Sequence, residues 1–268
     1  MQIRNVCLVI SSEDPASLNI GSKMLEIAGN KFTSRGIEVS VLKIDGQSLY
    51  IKSHEELSSK ADMMIFLSRH SGTPGFPVIT AHVPGNFGEA RYGGLPRKVS
   101  VAPPLFLKVF IQEAKILVEG TKFEVAMEPT HHGPSLDIPT AFVEIGCSEK
   151  EWTDPLAGEI VAKAVVRALE RFPDENFHPA VGIGGPHINH HFTKVQLLSS
   201  YALGHIIRNY DLSEVDLPLL RSAFTRSDPK ANVALLDWKS IRSSLKEKVM
   251  LMLEEIGIEA VKVKKVLR

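Results

Sequence analysis

Apolar positions along this chain fall into short unbroken runs separated by longer stretches of helical spacing. NVCLVI (Asn5–Ile10), ADMMIFLSRH (Ala61–His70), FPVITAHV (Phe76–Val83), PTAFVEIG (Pro139–Gly146) and PAVGIGG (Pro179–Gly185) are runs of the first kind. Apolar runs of that length without alternation describe strands buried on both faces. IEVSVLKI (Ile37–Ile44) alternates and predicts a further strand, as does KFEVAMEPTHHG (Lys122–Gly133), which runs into two histidines. Helices are predicted for DPASLNIGSKMLEIAGNKF, capped by Asp14 with Pro15 behind it, and for DPLAGEIVAKAVVRALERF, capped by Asp154. Pro103–Gly120 is a long amphipathic helix. The last third reads as more helical, with SEVDLPLLRSAF, WKSIRSSLKEKVMLMLEEIG and a closing strand in IEAVKVKKVL.

Strands alternating with helices predict a three-layer α/β/α sandwich around a mixed, largely parallel sheet. The mixture follows from two strand pairs with no helix between them, Ala61–His70 with Phe76–Val83 and Lys122–Gly133 with Pro139–Gly146. No repeat, linker or composition boundary divides the chain, so one domain over residues 1–268 is expected.

Charge changes the picture in one respect. The 31 basic and 31 acidic side chains cancel, whereas a protein that holds nucleic acid by charge alone is usually basic. Contact with phosphates would have to come from a local patch. Only two cysteines argue against a disulfide framework, and the absence of CxxC excludes a thiolate zinc site. The N-terminal apolar run is too short for a signal peptide, and none approaches the ~18–20 residues of a membrane span. A cytoplasmic monomer is expected.

The candidate chemistry is histidine. Ten occur, and most follow predicted strands: His70, His82, the pair His131–His132, and His187 with His190 and His191 behind it. Glu144 is an acid inside the apolar run FVEIG. Ligands of open α/β sheets bind beyond the carboxyl ends of strands, so these side chains describe a site. Imidazole with carboxylate is a zinc-ligand set, and an unmetallated histidine serves equally as a general base for water attacking an ester. Glu144 is suited to ligand, base or imidazole-orienting partner. A single histidine at a strand end is more often structural, and it is the coincidence of several that argues for function. The Gly-rich segment HVPGNFGEARYGG (His82–Gly94) is longer than a connector needs and is read as a substrate loop.

FLSRHSG, TAHVPGNFG, EPTHHGP, FVEIG followed by SEKEW, and VGIGGPHINHHFT, in that order between Met63 and Thr193, resemble the archaeal and plant type of D-aminoacyl-tRNA deacylase. The length and the tail MLMLEEIGIEAVK are similar too, so the resemblance covers nearly the whole chain. It implies hydrolysis of the ester between a D-amino acid, such as D-tyrosine, and the tRNA 3′ end, with zinc as cofactor and aminoacylated tRNA as partner. It also implies a sandwich of the phosphorylase/hydrolase kind, with a part similar to peptidyl-tRNA hydrolase. His70, His132, Glu144 and His187 are the implied catalytic residues, and His82, His131, His187 and Glu144 the implied metal ligands. The family's last motif more often reads GGxHYxPRFT. Here Ile188 and His190–His191 replace Tyr and Pro-Arg, which leaves His187 as the candidate. Gly184 and Gly185 are expected to offer oxyanion amides, and Arg91, Arg97, Lys98, Lys262, Lys264 and Lys265 to meet phosphates. A zinc-dependent peptidase, a nucleoside-phosphorylase-like enzyme and a non-catalytic tRNA-binding module are the alternatives.

Overall fold

The computed structural model describes residues 3–58, 60–72, 75–172 and 176–267. The chain begins with β1 (Asn5–Ser11), α1 (Pro15–Ala28), β2 (Lys31–Ser34), β3 (Ile37–Ile44), β4 (Met63–Arg69) and β5 (Val78–His82). It continues through α2 (Pro104–Leu117), β6 (Glu124–Met127), β7 (Thr140–Gly146), α3 (Glu149–Trp152) and α4 (Pro155–Arg171). The remainder is β8 (His178–Ile183), α5 (His190–Leu198), β9 (Tyr201–Ile207), α6 (Leu217–Thr225), β10 (Val233–Leu236), α7 (Ser243–Glu255), β11 (Glu259–Lys262) and α8 (Val263–Val266).

The first seven strands form one mixed sheet in the order β2-β3-β1-β4-β7-β5-β6. The pairing β5–β7 is antiparallel and β4–β7 and β5–β6 are parallel, so the sheet is mixed as expected, but β7 inserts between β4 and β5 and the two strand pairs that lack an intervening helix are not neighbours. The α/β sandwich is therefore as expected, with one addition. The last third forms a second sheet, all parallel, in the order β11-β10-β8-β9. β9, β10 and α5 were not anticipated, and β2 falls on the tail of the predicted first helix. That helix stops because Gly29 takes φ +76°, a conformation that L side chains rarely adopt.

Side-chain alternation gives the first sheet two different faces. Ile65, Leu67, Ile79, Val143 and Ile145 join Ile20, Met24, Phe106 and Val161 of the helices in one core. The opposite face holds Val9, Met64, Phe66 and Phe142, with the Phe66 and Phe142 rings stacked at 4.8 Å. Thr80, His82 and Glu144 share that second face by register. The second sheet sends Ala180, Leu203 and Leu235 into the same core as α2. Its other side packs Val181, Ile183 and Leu236 on Leu219, Leu220, Val249 and Leu253 of α6 and α7.

A short staple joins the first sheet to α5 beside the site. Asn189 N–H donates to Met127 O at 3.1 Å, and Met127 N–H donates to Thr193 Oγ1 at 2.9 Å. Asn189 also caps α5, its Oδ1 accepting from Phe192 N–H. The start of α5, with His187 just upstream, is thereby tied to the end of β6.

Candidate active site

Period-2 geometry decides which chemistry meets. β5 ends at His82 and its parallel neighbour β6 ends at Met127, with Glu128 N–H donating to Ala81 O at 3.2 Å. Glu128 follows Ala126 on the face that carries His82 and, on β7, Glu144. β4 delivers His70, whose N–H donates to Ile145 O at 2.9 Å. Because β5 runs against β7, His82 lies opposite Phe142 while His70 lies beyond Ile145. The site therefore spreads over the face of β7, and is not confined to the carboxyl edge where the sequence placed it.

All six side chains singled out in the sequence line this region. The His82 and His132 Nε2 atoms are 3.1 Å apart, and the ring centroids of His82 and His131 are 4.3 Å apart. His187 lies 4.7 Å from His131, ring to ring. His70 Nδ1 is 3.7 Å from Glu144 Oε2. The residue the sequence reading missed is Glu128, and it is the hub. Its carboxylate lies 3.0 Å from His70 Nδ1, 2.9 Å from His187 Nε2 and 3.6 Å from His131 Nε2. It sits inside the EPTHHGP motif, and the same signal that marked Glu144, an acid continuing an apolar strand, would have found it.

Backbone carbonyls fix several of the rings. His131 Nδ1–H donates to Pro129 O at 2.8 Å, and His132 Nδ1–H donates to Gly133 O at 2.6 Å. A carbonyl only accepts, so each Nε2 is left as a lone pair. The ligand-capable atoms of His82, His131 and His132 lie within 4.8 Å of one another, as do those of His70, Glu128 and His187. His82 with Glu128 and Glu144 forms a third such group. His132 holds φ +47°, the left-handed conformation that costs a non-glycine residue of order 1–3 kcal/mol and clusters at functional sites. An Arg208 guanidinium N–H donates to His187 Nδ1 at 3.4 Å, which leaves the His187 proton on Nε2, facing Glu128.

Burial sets the charge states. It lowers His82 and His131 well below the usual imidazole range and His132 to about 4, so these three are neutral. Burial also opposes charge on His70 and Glu128, but their contact prevails. His70 is raised to about 10 by Glu128 and Glu144, and Glu128 is held well below the carboxylate range by His187 and His70. Glu144 is raised to about 8 by burial, with the nearby Glu128 adding to the effect. Although close to their ion-pair partners, the Glu128 oxygens lack hydrogen-bond geometry to any group, as do His82 Nδ1 and His70 Nε2. Buried polar atoms are seldom left so.

The cluster forms part of the wall of a cavity of about 940 Å³. The loop after His82 contributes Asn86, Phe87, Glu89, Arg91 and Tyr92 to its wall. The expected oxyanion amides are not available. Gly184 N–H donates to Ile207 O and Gly185 N–H to Ser240 Oγ, so neither amide is free for an oxyanion. His190 and His191 begin α5 outside the cluster, His191 meeting Asp237 at 3.1 Å. Arg97 is taken up by Asp216 and Lys98 by Asp137.

A family model for D-aminoacyl-tRNA deacylase matches residues 57–261. The chain is 39% identical over 265 residues to the D-aminoacyl-tRNA deacylase of Korarchaeum cryptofilum, covering 99% of this chain and 95% of that one. It is 33% identical over 277 residues to that of Pyrococcus abyssi, covering 95% and 98%. The crystal structure of a conserved protein of unknown function, AF0625, superposes with a TM-score of 0.89 at 31% identity, covering 100% of this chain and 98% of that one. With the motifs, the fold and the clustered histidines in agreement, this chain belongs to the D-aminoacyl-tRNA deacylase family.

Proposed function

We propose that the chain acts as a single deacylase domain, hydrolysing the ester that joins a D-amino acid to the tRNA 3′ end and releasing free D-amino acid and tRNA. The observation that carries the chemistry is the arrangement around Glu128. His131 and His132, their Nδ1 protons held by carbonyls, turn lone pairs toward His82 beside the Glu128 carboxylate. Neutral imidazoles oriented through their other nitrogen are what zinc requires. We therefore assign zinc to His82, His131 and His132, keeping the first two ligands implied by the family resemblance. His132 replaces His187 and Glu144, which stand closer to Glu128 and His70. When bound, zinc supplies a Lewis acid that polarises a carbonyl and acidifies water.

The protein's own groups supply the proton path. Glu128 takes the proton of the water whose oxygen attacks the ester carbon. His187 Nε2–H, 2.9 Å away, gives a proton to the departing 3′ oxygen as the carbon–oxygen bond breaks, and is reprotonated from Glu128. Arg208 on Nδ1 keeps His187 in the donating tautomer. His70 braces the other Glu128 oxygen from 3.0 Å.

The test is hydrolysis of D-tyrosyl-tRNA and L-tyrosyl-tRNA, with and without chelator, beside the zinc content of the His82→Ala/His131→Ala/His132→Ala variant. The expected result is turnover of the D-form alone, loss on chelation, recovery with zinc, and a zinc-free triple variant. Equal turnover of both forms would refute the substrate assignment. Chelator-resistant turnover or undiminished zinc in the variant would refute the metal site.

A further inference from the structure

The formally neutral chain has its basic side chains unevenly compensated. Around the cavity, Arg91 lies 2.9 Å from Glu89 and Arg208 lies 2.7 Å from Asp211. Arg97 and Lys98 are paired as described. A different situation holds beyond β10. Lys246 Nζ lies 5.0 Å from the centroid of the Trp238 ring and Lys262 Nζ lies 4.8 Å from the same centroid. The two ammonium groups are thus at most about 10 Å apart, within a Debye length at moderate salt. Among the described residues neither is paired with a carboxylate, and Arg242 has no partner either. Trp238 attracts each lysine, but an indole carries no net charge, so the mutual repulsion of the two cations remains. A bridging anion would relieve it.

This patch is connected to the cavity through the second sheet. Gly185, two residues before His187, donates its N–H to Ser240 Oγ, which donates to Asp237 O. Trp238 is the next residue. Arg242 lines the cavity and is the residue from which α7 starts. Lys246 lies four residues on, in the first turn of that helix. Arg242, Lys246 and Lys262 therefore lead from the cavity across the end of β10.

We propose that Lys246 and Lys262, gathered over Trp238, carry phosphates of the tRNA acceptor arm, and that Arg242 guides the strand from there into the cavity. The inference rests on the deacylase reading for the identity of the RNA. It supplies the local basic patch that a neutral chain needs, and it replaces the Arg97–Lys98 segment with cations that no carboxylate pairs among the described residues.

The experiment measures the Kd of uncharged tRNA against salt for the wild type, Lys246→Gln/Lys262→Gln and Lys246→Arg/Lys262→Arg. The same proteins are assayed on a D-aminoacyl adenosine ester, which lacks the acceptor arm. Each lost phosphate contact flattens the slope of log K against log salt by about 0.9. The glutamine variant should flatten by about 1.8, so that its loss of affinity between 50 and 200 mM salt is roughly tenfold smaller than the wild type's. It should bind tRNA more weakly at low salt and turn over the small ester at the wild-type rate, and the arginine variant should recover tRNA binding. An unchanged slope in the glutamine variant, equal loss on the small ester, or failure of arginine to restore binding would overturn the proposal. A wild type inert toward both this ester and D-tyrosyl-tRNA would instead refute the deacylase reading, because uncharged tRNA reports on the track independently.

Discussion

His205 offers a measurable link between acidity and the support of the site. It sits on β9, fully buried, with its Nε2–H shared between Ser100 O at 3.1 Å and Arg226 O at 3.0 Å. Its Nδ1 accepts from the hydroxyl of Thr130, the residue before His131, at 2.9 Å. Burial lowers its pKa to about 4, against the bonds to Arg226 and Ser100 that would raise it, while the Arg226 charge adds to the lowering. The folded state thus binds this proton less readily than the unfolded chain, where an imidazole titrates near ~6.5. The stabilisation is complete above pH 6.5 and is lost as pH falls through about 4. At 1.36 kcal/mol per unit, the loss attributable to His205 by pH 5 is about 2 kcal/mol, given its folded value of about 4. The assay is urea unfolding of wild type and His205→Gln at pH 7 and pH 5. Other titrating groups act alike in both proteins, so the wild type should lose about 2 kcal/mol more than the variant over that interval. Parallel pH profiles would show that His205 is not held neutral by the fold.

Glu128→Gln should reduce kcat by roughly 10²–10⁴ while leaving the melting curve cooperative; turnover near the wild-type level would remove Glu128 from the proton path. Gly185→Ala places a methyl against Asn189 Nδ2 at a backbone φ of +82°, so a loss of roughly 1–3 kcal/mol in denaturant unfolding is expected. An unshifted midpoint would show that the turn before His187 can relax. His190→Ala alters an exposed residue at the start of α5 and should leave stability within about 0.5 kcal/mol and deacylation intact. A marked loss of deacylation in that variant would place His190 in the site.

Much of this was legible because central parallel strands are apolar throughout. β1, β4, β7 and β8 announced themselves, and Asp14 and Asp154 ahead of prolines marked two helix starts that the structure caps in that way. β9 was hidden by Gly204 and His205 in its middle. The glycine is there because a Cβ would lie 2.8 Å from the Ala102 methyl. β10 has only four residues, too few for periodicity to declare. The histidines were visible as a group because each follows a strand. What joins them was not, because Glu128 acquires its role from β6 lying parallel to β5 and from α5 being fastened to Met127. Both pairings are long-range, and neither is written in local spacing. The tautomers of His131 and His132 likewise depend on carbonyl positions that no residue type encodes.

The staple between Met127 and the start of α5 bears on when the activity can appear during synthesis. Every histidine and carboxylate of the first sheet is translated by residue 144, and a nascent chain of that length already encodes His70, His82, His131, His132 and both glutamates. It lacks His187, and it lacks the Asn189 and Thr193 groups that Met127 engages. With the assigned proton donor supplied only after β8 has emerged, an unfinished chain is a silent one. A ribosome-bound fragment would then leave the aminoacyl-tRNAs around it untouched until the second sheet closes against the first.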